Sequence, residues 1–328
     1  MQTSYIYSVS RVNTLSQFLL NKTDIERLLV SEPGEALQQA LKETYLAPYV
    51  AQVSSGSVAD AIEKTLIDAK RLVHKISPNG DMFRVLWVQY DIHNLRVFAK
   101  AAAKGVDFEG CKQFTSARGI YEPEALYDAA FKSNLNGLQV GWQEAYDEAV
   151  RFAEAGEIDK IDGIFDVAYF ETSKRVAKKG NDAFISRYLE IAIDLYNLRY
   201  SLRTLQYPQI VTEKRFISGG SFSSEAIETK EDVLQRLFTF GSESFWRDAV
   251  DYYLETGNTT RIDARADEYM LTIAKEGSFD MFSSASLVLY YLQCRQAAAN
   301  VRTIVVGKNS GMSEEDIRAN LRMAYVND

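Results

Sequence analysis

The sequence predicts an all-α protein made of three similar helical units. Two observations carry that expectation. A helical signature is written three times: Asp91-Ile92-His93-Asn94-Leu95-Arg96, Asp194-Leu195-Tyr196-Asn197-Leu198-Arg199 and Ala297-Ala298-Ala299-Asn300-Val301-Arg302. Its asparagines lie 103 residues apart in both steps, from 94 to 197 and from 197 to 300. Equal offset marks a repeated structural unit. Second, apolar residues recur at helical spacing, and no run of strand-type alternation is long enough to build a sheet.

A further register supports the last two units. Gly156…Ile161-Asp162-x-x-x-Asp166 matches Gly257…Ile262-Asp263-x-x-x-Asp267 at an offset of 101. Ahead of each glycine, Ala145, Ala149, Phe152 and Ala153 pair with Trp246, Val250, Tyr253 and Leu254. These positions fall at i, i+4, i+7 and i+8, one apolar helix face, on which Trp246 is expected to be buried. The first third holds no convincing copy of this register. A chain of 328 residues exceeds the size at which a single core stops growing. The units are placed at residues 1–107, 108–210 and 211–328.

In the first unit, Val12, Leu15, Phe18 and Leu19 open an apolar face, and Pro33-Gly34 breaks it. Leu37, Leu41 and Tyr45 resume it at four-residue steps. Val58–His74 reads as a long helix with Ile62, Leu66, Ala69 and Val73 on one side. Ser77-Pro78-Asn79-Gly80 is a turn, after which Asp81 is expected to cap a helix that Gly105 ends.

In the second unit, helices are expected near Pro123–Ser133, Gln139–Ala155, Asp162–Lys179 and Asp182–Leu205, with Gly156 and Gly180 as C-caps. A linker, Val211–Ser224, contains the Ser218-Gly219-Gly220-Ser221 stretch and is flexible by composition. The third unit predicts helices near Lys230–Thr239, Ser242–Glu255, Arg261–Lys275, Met281–Val306 and Ser313–Val326. Ser313-Glu314-Glu315-Asp316 resembles a capping box with Asp in place of Glu.

Each unit thus carries the signature on a long helix. Asn and Arg two residues apart point about 200° around a helix and do not share a face. Asn94, Asn197 and Asn300 are expected to make buried hydrogen bonds to a neighbouring helix, since a buried amide needs partners. Arg96, Arg199 and Arg302 are expected to pair with acids of an adjacent helix. Structural roles are the expectation for all six residues.

Composition narrows the function. A net charge of −8 argues against a nucleic-acid partner held through a broad basic face. Two cysteines, Cys111 and Cys294, make no disulfide framework and point to a reducing compartment. The N-terminus shows no signal-peptide pattern. The longest apolar stretch, around Ala285–Leu292, is far short of the ~20 residues that span a bilayer.

The motifs for chemistry fail one by one. Val305-Val306-Gly307-Lys308-Asn309 lacks the upstream Gly and the following Ser or Thr of a phosphate loop. His74 and His93 stand in no ligand motif. Asp162/Asp166 and Asp263/Asp267 share helix faces at i, i+4, where a pair near a helix start favours the dipole more often than it binds a cation. The basic cluster Lys174-Arg175…Lys178-Lys179 compensates a helix C-terminus or meets an acidic partner. No catalytic, cofactor-binding or metal residue is assigned. What remains is an acidic helical body suited to a scaffold or coupler.

The residues also carry a family resemblance. Asp91-x-x-Asn94-Leu95-Arg96, Arg187-Tyr188…Asp194-x-x-Asn197-Leu198-Arg199, Phe216-Ile217-Ser218-Gly219-Gly220, Asn300-Val301-Arg302…Gly307-Lys308 and Ile317-Arg318…Leu321-Arg322…Tyr325-Val326 follow in order along the whole chain. In that order and spacing the chain resembles the C subunit of the prokaryotic V-type/A-type ATPases, related to the d subunit of the vacuolar proton pump. It departs at Ala297, where the first two units have Asp91 and Asp194.

The resemblance implies a funnel of three helical domains about a pseudo-threefold axis, with a central cavity. It implies a cytoplasmic, non-catalytic component without cofactor, peripheral to the membrane. Its partners would be the D and F subunits of the central stalk and the membrane rotor ring of K/L, c-type subunits. It would pass rotation between them for H⁺ or Na⁺ transport or for ATP synthesis. A cytoplasmic helical scaffold unrelated to an ATPase is the alternative. An all-α enzyme fits less well, since neither an aspartate-rich DDxxD pattern nor a nucleophile–base pair is present.

Overall fold

The computed structural model describes residues 5–51, 57–206, 216–223, 227–323 and 326. Among them every regular element is helical. In order these are α1 (Ile6–Ser16), α2 (Lys22–Val30), α3 (Glu35–Leu41), α4 (Ala47–Val50), α5 (Val58–Ile76), α6 (Arg84–Ala102), α7 (Phe108–Cys111) and α8 (Pro123–Phe131). There follow α9 (Trp142–Glu154), α10 (Ile158–Gly180), α11 (Ala183–Gln206), α12 (Lys230–Leu237), α13 (Glu243–Thr256), α14 (Thr260–Gly277), α15 (Ala285–Asn309) and α16 (Glu314–Ala319).

Local chemistry sets many of these limits. Asn21 and Asp24 form a capping box on α2, and Thr229 and Asp232 form one on α12. Ser57, Ser242 and Ser313 accept an N–H of the first turn of α5, α13 and α16. Gly105, Gly156 and Gly257 take positive φ just past α6, α9 and α13.

Several boundaries differ from the sequence reading, each for a physical reason. Asp81 does not cap α6; it lies in a 3₁₀ turn, Gly80–Phe83, and pairs with Arg84 at 3.0 Å. The left-handed cap after α10 is Asn181 rather than Gly180. Gly180 is reserved for packing, because a Cβ there would stand 2.6 Å from the Met82 side chain. Helix α15 starts at Ala285, leaving Met281 and Phe282 in an exposed turn. Leu254 is exposed while Trp246, Val250 and Tyr253 are buried, so the face predicted on α13 is one residue narrower.

The described residues form two compact units. One is continuous, 81–276. It holds two apolar cores. The first gathers α6 with α8, α9 and α10 around Leu95, Phe98, Trp142, Ile161 and Phe165. The second gathers α11 with α12, α13 and α14 around Leu198, Leu202, Trp246, Tyr253 and Ile262. In both, the signature helix packs against helices that follow it. The other unit joins residues 1–80 to 277–328. Here α15 packs on α1 and α5, and Arg318 of α16 grips Glu26 of α2 through two hydrogen bonds of 2.5 and 2.8 Å. The buried face of α5, at Ile62, Leu66, Ala69 and Val73, repeats the spacing of Ile161, Phe165, Ala168 and Thr172 on α10.

Candidate functional site

The asparagines of the signature build one device three times. Asn94 on α6 donates its Nδ2 to the C=O of Ser116 at 2.9 Å, and its Oδ1 accepts the N–H of Ser116 at 2.8 Å. Asn197 on α11 does the same to Ile217, at 2.9 and 2.9 Å. Asn300 on α15 does the same to Arg322, at 2.9 and 2.8 Å. Each amide thus holds both backbone polar groups of one residue in a downstream loop. All three asparagines are buried, so these bonds satisfy groups that burial would otherwise leave unmet. The expectation of a bond to a neighbouring helix is corrected: a loop residue outside any helix can offer both its backbone groups to a side-chain amide, as a residue in mid-helix cannot. It also explains why α16 stops short of Val326, since the backbone of Arg322 is committed to Asn300.

Three residues before Asn94 and Asn197, one turn earlier in the helix, a buried carboxylate adds a second anchor. Asp91 accepts the N–H groups of Ile120 at 2.7 Å and Tyr121 at 3.1 Å. Asp194 accepts the N–H of Ser221 at 2.8 Å and its hydroxyl at 2.8 Å. Burial pushes the Asp194 carboxyl above the usual carboxylate range, against the lowering effect of both Ser221 bonds. The loop reaches each carboxylate because a glycine passes beside it. A Cβ on Gly119 would stand 2.1 Å from Asp91 Oδ1, and one on Gly220 would stand 2.0 Å from Asp194 Oδ1. The Ser218–Ser221 stretch, expected to be a flexible linker, is therefore fastened; Lys174 also donates to Ser218 Oγ at 3.0 Å. Residues 211–215 and 224 of that linker lie outside the described residues.

The arginines face the other way and tie helices together. Arg96 meets Asp162 at 3.4 Å and makes a short contact with Asp166, both on α10. Tyr196 of α11 donates to the other oxygen of Asp166 at 2.8 Å. Burial, with Asp166 beside it, pushes the Tyr196 phenol far up. Arg199 and Arg203 of α11 then share Asp263 of α14, at 3.4 and 3.0 Å. Polar ties thus run from α6 to α10, α11 and α14, linking the two cores of residues 81–276. Arg302 is exposed and makes no ion pair among the described residues.

The remaining candidates have partners of their own. Asp162, Asp166 and Asp263 are engaged by arginines, and no group of three metal-ligand side chains occurs among the described residues. Gly307 packs on Ile317, whose Cγ1 would lie 2.6 Å from an added Cβ. His93 Nε2 lies 2.9 Å from the Phe114 C=O. Arg175 donates to the Val140 C=O at 2.9 Å. No helix among the described residues is long and apolar enough to cross a membrane. Sequence reasoning missed the loop partners and both glycines. A signal existed: the two signatures with Asp have Gly three residues past the gripped residue, and the copy with Ala297 has Tyr325 there.

Comparison with known proteins finds relatives along most of the chain. The chain is 19% identical over 315 residues to the C subunit of the V-type sodium ATPase of Enterococcus hirae, covering 94% of each. It is 27% identical over 177 residues to the C subunit of the A-type ATP synthase of Halobacterium salinarum, covering half of each. The family described as ATP synthase (C/AC39) subunit matches residues 8–320. With nearly every residue inside that match, the chain belongs to the ATP synthase (C/AC39) subunit family.

Proposed function

We propose that this chain is the non-catalytic socket between the central stalk and the membrane rotor ring of a V/A-type rotary ATPase. The carrying observation is the family match over residues 8–320, together with a relative named as the C subunit of a V-type sodium ATPase that aligns over 94% of both chains. In this reading the three repeats, at 1–107, 108–210 and 211–328, are similar helical domains about a pseudo-threefold axis. Their cavity receives the D and F subunits, and the opposite face rests on the ring of K/L, c-type subunits at the cytoplasmic side of the membrane. Rotation passes through the body and drives, or is driven by, H⁺ or Na⁺ movement.

A coupler must not shear between its own helices. The arginine–aspartate ties and the clamped loops support that task, since each fixes one helix against another segment through buried or half-buried polar groups. The signature residues Asn94, Arg96, Asn197, Arg199 and Asn300 belong to the rigidity of the body rather than to chemistry, while the exposed Arg302 takes no part in these ties. The deciding experiment is ATP-driven ion uptake in reconstituted vesicles with and without this protein. Uptake is expected to vanish without it while the soluble head still hydrolyses ATP; uptake at the full rate would refute the role.

A further inference from the structure

The third signature helix leaves bare a face that the second one covers. On α11, Tyr196, Arg199 and Arg203 lie on one side, at i, i+3 and i+7. Two aspartates from other helices meet that side. Asp166 of α10 accepts the Tyr196 hydroxyl at 2.8 Å, and Asp263 of α14 pairs with Arg199 at 3.4 Å and Arg203 at 3.0 Å. The positions 103 residues further on are Ala299, Arg302 and Val306 of α15. Ala299 is half-buried, Arg302 is exposed and Val306 is 55% exposed. Helix α5, which packs on α15, carries Glu63 after Ile62 as α10 carries Asp162 after Ile161, yet Arg302 makes no ion pair among the described residues. Where α10 has Asp166, α5 has Ile67.

The make-up of this face specifies what fits it. Ala299 is small enough for another helix to come close. Arg302 is a permanent cation whose forked donors match a carboxylate, and Val306 gains from removal from water. Half-buried Leu292 and Arg295 extend the stripe, so from 292 to 306 it runs about 21 Å along the helix. Charge complementarity selects an acidic partner, and both aspartates that serve α11 ride on helices. We propose that this face of α15 docks an acidic helix of a partner protein, one carboxylate of which pairs with Arg302 as Asp263 pairs with Arg199. On the socket role proposed above, on which the choice of partner rests, that helix belongs to the central stalk. A stripe of this length takes a helix laid along it outside the bilayer, whereas a ring of membrane-spanning segments meets a soluble subunit through their ends.

Titration calorimetry of the full chain with the purified stalk of D and F subunits tests this. Arg302→Ala is expected to weaken binding about tenfold or more, and Arg302→Glu to weaken it further. Both should leave the affinity for the detergent-solubilised ring unchanged. Both should keep the wild-type melting temperature, because Arg302 is exposed and ion-pairs with no described residue, so the loss is one of contact and not of folding. Equal stalk affinity of the wild-type chain and Arg302→Glu would overturn the assignment of this face and leave the socket role standing. A wild-type chain that binds no stalk would overturn both. Binding to the ring, or to protein-free vesicles of anionic lipid, that depends on Arg302 while stalk binding does not would give the face to another partner and overturn the proposal.

Discussion

Replacing Gly220 with Ala isolates the carboxylate clamp. Gly220 does not take a left-handed φ, unlike Gly219 at +105°, so alanine meets no backbone strain there. The obstacle is Asp194: the new Cβ would lie 2.0 Å from its Oδ1. That oxygen cannot swing aside freely, because the carboxylate is buried and accepts the Ser221 N–H and hydroxyl at 2.8 Å each. Either the loop retreats or the carboxylate rotates, and both routes break these bonds. Hydrogen bonds to charged groups contribute about 1.5–3 kcal/mol each, and these two share a donor residue, so a loss of about 3 kcal/mol is expected. Gly119→Ala should lose a similar amount through Asp91, at 2.1 Å. Urea unfolding followed by circular dichroism reads the loss as a midpoint shift at constant slope. The double variant Asp194→Ala, Gly220→Ala supplies the control. With the carboxylate gone, the second substitution should add less than about 1 kcal/mol, a strongly non-additive cycle. A Gly220→Ala variant within about 0.5 kcal/mol of wild type, or an additive cycle, would refute the reasoning.

Three further outcomes follow from the same geometry. Trp246→Ala should cost about 3–5 kcal/mol, because the ring is wholly buried and its Nε1 donates to the Phe240 C=O at 2.6 Å; a loss below about 1 kcal/mol in the same unfolding assay would contradict the core assignment. Arg96→Ala should cost about 1–2 kcal/mol, between the values for exposed and buried pairs, since its partners are half-exposed; the matching Arg302→Ala should stay within about 0.5 kcal/mol. Asp194→Asn should show a pH signature. The folded-state pKa of Asp194 is raised, so its contribution is greatest below the unfolded value of about 3.8 and is lost as pH rises through the folded value. Melting temperatures of both proteins across the acid range should therefore move in favour of Asp194→Asn as pH rises, and a constant difference would count against it.

The helices are legible in the sequence because their apolar spacing and caps are local. The expected Val58–His74 is Val58–Ile76 in the structure, and the expected Lys230–Thr239 is Lys230–Leu237. The site is half legible. The repeat spacing points to Asn94, Asn197 and Asn300, but their partners lie 20 to 22 residues away in loops with no periodicity to read. For the same reason Ser218–Ser221 reads as flexible by composition, although a carboxylate on the preceding helix fastens it. Gly180 misleads because a glycine needed for packing on Met82 looks, in sequence, like one needed for a turn. Arg96 pairs across helices as expected, while Arg302 finds no equivalent acid among the described residues, and nothing in the tripeptide distinguishes the two.

The joining of residues 1–80 with 277–328 in one compact unit has a consequence for synthesis. Helices α1 to α5 leave the ribosome well before α15, the long helix on which α1, α2 and α5 pack. Residues 81–276 form one compact unit from a continuous stretch, so the partners of its two cores have all been made once α14 has emerged. The N-terminal helices meanwhile carry Ile25, Leu28, Leu41, Ile62 and Val73 without α15 to pack against. Joining them to α15 closes a loop of roughly two hundred residues, and contacts of such separation form slowly. The unit assembled from both ends is therefore the late step of folding, and the nascent N-terminal segment is the part of this chain most in need of protection from aggregation while it waits.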